Sequence, residues 1–265
     1  MIALPDAPGL GAAHRRRLRA LWRSAGWPSH DMLELELLAA GLVERREDAQ
    51  GRETLRVTDT GVTLLADALQ RNRARRDAHE ALVARVASEM QRAGRIAWRG
   101  LALRAPLADV VAGPGGATAP KTRWAVAMPD VFSVRNTTAE ALLWPVVHEV
   151  KVTRADLLGD LKRPAKGEAY RAVASECWYV LRAGIGEPEE IPEIYGVMCA
   201  HPAAGELVDG QPGFGALEVL RPAPRRPFSL PFSVWMALAK ATPEPFDDTD
   251  AQALLGDDGP APALE

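Results

Sequence analysis

The feature that most restricts the fold is a valine-rich segment interrupted by charges, VVHEVKV at residues 146–152. β-Branched residues at this density favour a buried strand, in which successive side chains point to opposite faces. Glu149 and Lys151 therefore share one face with Val147, whereas His148 lies on the other face and is interpreted as structural. Burying an acid and a lysine costs free energy unless they are paired or face a cleft. The segment predicts an α/β fold in which this strand carries chemistry.

A second acid is spaced so that it could join this pair. Asp130 follows Pro129 at the end of a predicted strand, and 18 residues lie between it and Glu149, enough for a hairpin. Phosphodiester hydrolysis gathers negative charge on phosphate oxygens, where a divalent cation held by hard oxygen ligands stabilises it. We therefore expect Asp130 and Glu149 to bind Mg²⁺ or Mn²⁺, with the carbonyl of Val150 as a third candidate ligand. Lys151 would orient or deprotonate the attacking water and stabilise the transition state.

Pro129–Asp130 followed by Glu149–Val150–Lys151 is the PD…(D/E)XK signature of a nuclease superfamily. The longer segment HEVKVTRADLLGDLKRPAKGEAYRAVASECWYVL resembles the MmcB-like DNA-repair endonucleases, which share an E-V-K-x-x-R-A-D-x-x-x-D stretch and a later Y-R segment. The resemblance covers residues 77–200. It implies a PD-(D/E)XK restriction-endonuclease-like core with a mixed sheet flanked by helices. It also implies a Mg²⁺-dependent endodeoxyribonuclease that acts in DNA repair or in defence against foreign DNA.

The resemblance suggests further site residues. Nucleases of this superfamily often add a glutamate from the first core helix, and Glu80 is the predicted fourth catalytic residue, with Glu89 as the alternative. His79, next to Glu80, could also approach the site. Asp156 and Asp160 match positions after the signature, where they could accept hydrogen bonds from Lys151 or Arg154, or only cap and pair at the surface. The residues predicted to contact the DNA backbone are Arg154, Lys162, Lys166 and Arg171.

Other interpretations of the site stay open. Asp130, Glu149 and Lys151 could form a structural ion pair, although such pairs contribute little net stability because desolvation nearly cancels the attraction. The chain could instead be a DNA-binding or regulatory protein on a catalytically inactive nuclease scaffold. An RNA substrate is also open, because no feature of the sequence would recognise a 2′-hydroxyl. Tyr170 and Trp178 are predicted to be core aromatics rather than base-stacking groups.

The N-terminal region, residues 12–70, follows a pattern of helix, helix, hairpin and helix, with Ser29 as the predicted cap of the second helix. The phrase LLAAGLVERRED…GRETLRVTDTGVTLL resembles winged-helix domains of bacterial regulators. The helix that would enter a major groove carries Asp31, Glu34 and Glu36 and no Lys or Arg, which opposes contact with phosphates. DNA recognition and a dimerisation or docking role, including a homodimer, both stay open.

The rest of the chain alternates predicted elements in the order α-β-β-β-α-β-β. Residues 106–120, rich in Gly and Pro, are predicted to be a flexible loop, and Pro164 is predicted to break or start a helix. Hydrophobic patterns place the helices and strands. Helices are predicted at 62–70, 79–93, 154–176 and 231–241, and strands at 95–103, 123–134, 141–152, 177–181, 193–199 and 215–220.

Charge and composition complete the predicted organisation. The formal net charge is −3, but residues 241–265 hold seven carboxylates and no Lys or Arg, so residues 1–240 carry a net charge of +4. A basic body mildly favours a phosphate-rich partner, whereas such a tail cannot offset its ordering entropy. The sequence predicts a winged-helix-like domain at 1–72, a nuclease-like domain at 73–242 and an acidic disordered tail at 243–265.

Targeting and redox features favour the cytoplasm. No apolar stretch reaches the roughly 18–20 residues needed to cross a bilayer, so no membrane partner is expected. The N-terminus lacks a charged region followed by an apolar one. Cys177 and Cys199 are too few for a disulfide framework or a zinc site, and we expect both to be buried, reduced thiols.

Overall fold

Two units make up the chain, and the boundary between them lies at Arg76–Asp77, inside a long helix. In the part of the chain that the structure describes, no helix is both long and apolar enough to cross a membrane. Most of the predicted acidic tail, residues 246–265, lies outside the described residues. The structure is a computed structural model that describes residues 10–47, 49–112, 118–208 and 211–245.

The N-terminal unit has the predicted order of helix, helix, hairpin and helix. Its elements are α1 (Ala12–Arg23), α2 (Met32–Ala39), β1 (Val43–Glu47), β2 (Glu53–Val57) and the first part of α3 (Asp59–Arg92). The two strands pair antiparallel. Buried side chains from both short helices and the hairpin form one core, which comprises Leu18, Leu21, Leu37, Leu42, Val43, Leu55 and Val57.

The predicted cap of α2, Ser29, is wrong. Asp31 occupies the N-cap position, and its carboxylate accepts a hydrogen bond from the Glu34 N–H at 3.0 Å. Ser29 instead donates its own N–H to the Glu34 carboxylate at 2.5 Å. Asp31 is favoured because it directly precedes the first helical residue, where a short acceptor side chain reaches the free N–H groups of the first turn.

The helices predicted at 62–70 and 79–93 are a single helix. α3 runs without a break for 34 residues. The intervening residues 71–78 (RNRARRDA) lack apolar periodicity, but they also lack Gly and Pro, and Arg and Ala have high helix propensity. Helix propensity therefore continues the helix through a segment in which the hydrophobic pattern gives no signal.

The C-terminal unit contains a mixed six-stranded sheet flanked by helices, which confirms the predicted α/β class. The elements that follow α3 are β3 (Arg95–Arg99), β4 (Leu103–Ala112), β5 (Thr118–Ala127), β6 (Val131–Arg135), β7 (Val146–Lys151), α4 (Arg154–Leu161), α5 (Pro164–Arg171), β8 (Glu176–Arg182), β9 (Gly196–Val208), β10 (Gln211–Arg221) and α6 (Phe232–Leu238). The order in the sheet is β10-β9-β8-β7-β6-β3. β7, β8 and β9 run parallel, and the other neighbours are antiparallel.

Helices cover both faces of this sheet. On one face, Leu82 and Val86 from the second half of α3 pack with Val150. On the other face, Val147 packs in a cluster to which the helices α4, α5 and α6 contribute Leu157, Tyr170 and Val234. Val147 and Val150 thus face opposite cores, as the alternation of side chains along this strand predicts.

The loop predicted at residues 106–120 is wrong at 106–112 and 118–120, because these residues belong to β4 and β5, which pair antiparallel with Leu103 opposite Ala127. The remaining residues of the predicted loop, 113–117, lie outside the described residues. The Gly and Pro residues that suggested a loop are concentrated at 113–116, inside a tip that lies outside the described residues. Alternate side chains of β4 are buried, namely Leu103, Ala105 and Leu107. The Gly and Pro residues at 113–116 dominated the composition of this segment, so the period-two pattern of the neighbouring residues was not recognised.

Several predicted boundaries move. The strand predicted at 95–103 ends at Arg99, since Gly100 has a φ of +59°. Residues 128–130 separate β5 from β6 within the strand predicted at 123–134, and the strand predicted at 141–152 begins only at Val146. Pro164 begins α5, so the helix predicted at 154–176 is divided and ends at Arg171. The strands predicted at 193–199 and 215–220 are parts of the longer β9 and β10.

Candidate active site

Asp130 lies directly before β6, at the point where that strand stops pairing with β7. Val131 is opposite His148 in the antiparallel register, which if continued would place Pro129 opposite Val150. Proline has no N–H to donate to a ladder. The Val150 N–H donates to Asp130 Oδ2 at 2.7 Å instead. The Pro-Asp pair therefore ends the ladder and fixes a carboxylate beside β7.

Glu149 is the centre of the site. Its buried Oε1 accepts hydrogen bonds from Lys151 Nζ and from Lys166 Nζ, both at 2.5 Å. Its Oε2 accepts a hydrogen bond from the Tyr170 hydroxyl at 2.7 Å. The same hydroxyl lies 2.9 Å from the carbonyl oxygen of Met128. Tyr170 thus ties the carboxylate to the segment between β5 and β6.

A second buried carboxylate, that of Asp160 on α4, adjoins this centre. Its Oδ1 accepts a hydrogen bond from Lys166 Nζ at 2.7 Å, and its Oδ2 accepts one from the Tyr179 hydroxyl at 2.9 Å. Lys151 Nζ lies 3.9 Å from Asp160 and 3.6 Å from Asp156. Acids and ammonium groups therefore alternate, which reduces the cost of burying each of them.

The charge states follow from these contacts. Burial alone lowers the pKa of Lys151, but the charge of Glu149 and its hydrogen bond raise the pKa above its ordinary value. Burial raises the pKa of Asp160, but the hydrogen bond from Lys166 and the charge of Lys151 lower it overall. Burial raises the pKa of Tyr170, so its phenol stays neutral. Lys151 therefore carries a positive charge beside Glu149.

We expect Asp160→Asn to weaken the dependence of stability on acid. Because the folded pKa of Asp160 is below its ordinary value of 3.8, its carboxylate contributes stability that is complete above that value. This contribution is lost as the pH falls through the lowered folded pKa. Urea unfolding between neutral pH and about pH 2 should show a shallower loss of unfolding free energy in Asp160→Asn than in the wild type.

Asp156→Asn is the matched control, since Asp156 is on the same helix and about half exposed. It should keep the wild-type dependence on pH. Equal slopes for Asp160→Asn and the wild type would contradict the buried pairing of Asp160.

The first core helix contributes a histidine, not the predicted glutamate. The Glu80 side chain is 65% exposed, and its Oε1 lies 3.4 Å from His79 Nδ1. His79 Nε2 is 3.4 Å from Asp130 Oδ1, and the hydrogen bond to that carboxylate raises the pKa of His79. Glu89, the alternative, pairs with Arg85 at 2.7 Å. The resemblance predicts a glutamate on this helix, but it does not show which of two neighbouring side chains is oriented towards Asp130.

The predicted DNA-contact residues occupy three different environments. Lys166 is inside the site, as described above. Arg154 donates to the two carboxylate oxygens of Glu190 at 2.7 and 3.0 Å, so its guanidinium is engaged in an ion pair. Lys162 is exposed at the end of α4, and Arg171 is partly buried at the end of α5.

His148 and the cysteines lie outside the site. His148 is buried on the opposite face of β7, where its ring stacks on Trp178, and burial lowers its pKa to about 3. Both cysteines are free thiols. Cys177 is buried, and burial raises its pKa to about 12, but Cys199 is only partly buried, contrary to the expectation for it.

Sequence reasoning missed two tyrosines that hold the carboxylates. Tyr170 was interpreted as a core aromatic, and it is buried, but its hydroxyl bonds Glu149. Tyr179 lies next to Glu149 in the parallel register of β7 and β8. A tyrosine in a buried strand needs a partner for its hydroxyl. That requirement was the available signal.

Oxygen atoms at this edge are the candidate ligands for a divalent cation. In an antiparallel ladder the N–H and C=O of one residue point to the same neighbour, so the Val150 carbonyl faces the side of Asp130. No group of three or more His, Cys, Asp or Glu side chains is arranged to hold a metal ion among the described residues. Mg²⁺ usually takes one or two protein carboxylates and completes its shell with water and substrate phosphate. Asp130, Glu149 and this carbonyl are the oxygen donors of that kind at this edge.

The fold and site define an α/β protein with alternating acids and lysines at the end of a central strand. Comparison of the chain with protein-family models, with curated proteins and with solved structures found no match in any of the three.

Proposed function

We propose that the chain is a metal-dependent DNA endonuclease with a PD-(D/E)XK-type core and an N-terminal winged-helix domain. The observation that carries the proposal is a pair of carboxylates beside and on β7. Asp130 accepts a hydrogen bond from the Val150 N–H, and Glu149 accepts one from Lys151. The succession of helix, strand, PD at the start of a strand, ExK in the next strand, helix and parallel strand supports it. So does the net positive charge of residues 1–240.

Asp130, Glu149 and the Val150 carbonyl would hold Mg²⁺ or Mn²⁺. The bound ion would supply Lewis-acid stabilisation of the phosphate and a more acidic water. Lys151 keeps its proton at neutral pH and offers its charge to the phosphate oxygens in a buried site, where electrostatic stabilisation is strongest. Tyr170 and Asp160 hold the charged groups in place, so little reorganisation is needed when the substrate binds.

Lys166 makes metal binding weaker than two carboxylates alone would allow. Its ammonium and that of Lys151 both contact Glu149 Oε1, so a divalent ion at this carboxylate is repelled by two charges. We expect Lys166→Met to bind Mn²⁺ on the order of tenfold more tightly, a change of about 1.4 kcal/mol. The affinity can be measured from the paramagnetic resonance signal of free Mn²⁺ without any cleavage assay.

Lys162→Met, at the exposed end of α4, is the control and should bind Mn²⁺ as the wild type does. An unchanged or weaker affinity in Lys166→Met would show that Lys166 does not compete for the metal position.

Positive residues around the site would contact the DNA backbone. Lys162 and Arg171 lie at the ends of α4 and α5, and within the described part of the chain neither forms an ion pair like that of Arg154 with Glu190. In the N-terminal domain, α2 exposes Met32 and Leu35, 67% and 50% exposed, beside the acid Glu36. This apolar and acidic face favours a second copy or a protein partner over entry into a DNA groove.

A second candidate function has one observation in its favour. Glu149 and Asp160 are balanced by Lys151 and Lys166 without any ion, so the site is electrostatically complete in the metal-free protein. That balance suits a DNA-binding or regulatory protein on an inactive nuclease scaffold. It also suits an enzyme whose metal arrives with the substrate.

Cleavage assays separate the two candidates. Supercoiled plasmid, single-stranded DNA and RNA are incubated with Mg²⁺, with Mn²⁺ or with EDTA, using the wild type and Asp130→Asn. Asparagine keeps an oxygen that can accept the Val150 N–H but removes the charge. Metal-dependent DNA cleavage that is lost in Asp130→Asn supports the endonuclease. Binding without cleavage supports the regulator. Cleavage of RNA alone would change the proposed substrate from DNA to RNA.

A further inference from the structure

A second polar cluster lies at the opposite end of β7 from Glu149. Trp144 precedes this strand with a φ of +40°, a left-handed conformation that is rare for a bulky side chain. Two guanidinium carbons lie over its ring, that of Arg135 at 4.5 Å and that of Arg225 at 4.0 Å from the centroid. Arg95 donates to the Trp144 carbonyl at 2.5 Å and holds this backbone in place. Backbone strain that the surroundings enforce is characteristic of functional positions.

Positive charge in this cluster exceeds negative charge. Arg225 pairs with Glu176 at 2.5 Å. Among the described residues, no carboxylate forms an ion pair with Arg135. Burial lowers the pKa of Arg95, the charge of Glu176 opposes this, and the charges of Arg135 and Arg225 add to the lowering, so that the pKa is about 10. Guanidinium groups held this close to one another are stabilised by an anion.

The cluster opens onto a cavity of about 340 Å³. Arg226 is fixed at its wall by hydrogen bonds to the carbonyl oxygens of Arg171 and Ala174, at 2.9 and 2.7 Å. The wall combines two guanidinium groups, a hydroxyl and two aromatic rings. Its residues include Trp144, Ser175, Arg225, Arg226 and Phe228.

We propose that this cavity binds one nucleotide of a single-stranded nucleic acid, with its phosphate at Arg225 and Arg226 and its base against Phe228, because guanidinium groups already lie over the ring of Trp144. Aromatic faces with adjacent guanidinium groups are the usual means of holding single strands without sequence preference. The volume lies at the lower end of small-ligand pockets, which suits one nucleotide rather than a duplex. The choice of a nucleic acid over another aromatic phosphate rests on the proposed function. Because the cavity and Glu149 lie at opposite ends of β7, this would be an anchoring site away from the cleavage site.

The test measures binding of a short fluorescein-labelled oligothymidylate by anisotropy in EDTA, where no cleavage occurs. The double variant Arg225→Gln/Arg226→Gln, which removes both guanidinium groups assigned to the phosphate, should bind at least about tenfold more weakly. The slope of its affinity with salt should fall by about 0.7, the value for one phosphate of a single strand. Phe228→Ala should bind at least about fivefold more weakly through lost stacking. The matched control is Arg104→Gln, which removes a guanidinium 4.4 Å from the ring of Trp124 in the β4–β5 hairpin.

Unchanged binding in the double variant, or an equal loss in Arg104→Gln, would overturn the site. Competition of thymidine 5′-monophosphate and of inorganic phosphate with the labelled oligothymidylate tests whether the base contributes to binding. Equal competition by the two would overturn the nucleotide assignment. If the wild type never cleaves but the cluster variants lose binding, the nuclease proposal fails and this site stands. If cleavage occurs and the cluster variants bind and cleave like the wild type, this site fails and the nuclease proposal stands.

Discussion

A Lys151→Met variant is expected to lose metal-dependent DNA cleavage by on the order of 10²–10³-fold while it remains folded. Methionine keeps most of the length and apolar volume of the buried side chain but removes the ammonium that lies 2.5 Å from Glu149. Glu149 retains Lys166 and Tyr170 as partners, so its carboxylate is not left unpaired. The loss should appear in the single-turnover rate on supercoiled plasmid at saturating protein, where binding no longer limits the rate.

Lys162→Met removes an exposed lysine from the end of the neighbouring helix and serves as the control. Its single-turnover rate should stay within about threefold of the wild type, because the only expected role of Lys162 is a contact with the DNA backbone, and loss of that contact weakens binding rather than cleavage. DNA affinity measured with Ca²⁺ in place of Mg²⁺ should stay near the wild-type value in Lys151→Met, because that variant is expected to lose the chemical step and not binding. A Lys151→Met protein that cleaves at the wild-type rate would remove Lys151 from the chemistry.

The central strand and its acid could be predicted because their signals are local. Alternation along VVHEVKV places Glu149 and Lys151 on one face, and the structure has Val147 and Val150 in opposite cores. The distance in sequence to Asp130 allows a hairpin, and the structure has Val131 opposite His148. These inferences needed only the period of a strand and the length of a turn.

Other parts of the site depend on tertiary packing and were out of reach. Lys166 was expected to contact DNA, but α5 turns it onto Glu149 and Asp160. The number of residues between β7 and α5 does not determine that Lys166 contacts these two carboxylates. The inward orientation of His79 instead of Glu80 depends on how α3 rotates against the sheet, and a rotation by one residue, about 100°, would exchange them. The β4–β5 hairpin was hidden because Gly and Pro at its tip dominated the composition of the window.

Lys166 also explains why a buried acid with two lysines can be tolerated without a metal. Each of the two carboxylates, Glu149 and Asp160, has a lysine within hydrogen-bond distance, and Tyr170 or Tyr179 satisfies an additional oxygen. A half-satisfied network of this kind would be more costly than an apolar core. Completing the network therefore stabilises the site without a bound ion, and makes the network sensitive to the loss of any one member.

Glu149→Ala is expected to lower the free energy of unfolding in EDTA by about 3–5 kcal/mol, because it leaves two ammonium groups in a buried site without their shared acceptor. The hydroxyl of Tyr170 would lose the same partner. Adding Lys166→Met should recover part of this loss, since one of the unpaired charges is then removed. Urea unfolding of the wild type, the two single variants and the double variant gives the coupling energy between Glu149 and Lys166 directly.

The control for this cycle is Glu168→Gln, which removes a 52% exposed carboxylate on α5 that pairs with Arg123 at 3.2 Å. An exposed pair of this kind contributes about 0–1 kcal/mol, so the variant should unfold almost as the wild type does. If Glu149→Ala were as stable as the wild type and showed no coupling energy with Lys166, the Glu149 carboxylate would have to be exposed to water and not paired with the two lysines. Metal binding would then meet no competition from the two lysines, and the increase in Mn²⁺ affinity expected for Lys166→Met should vanish with it.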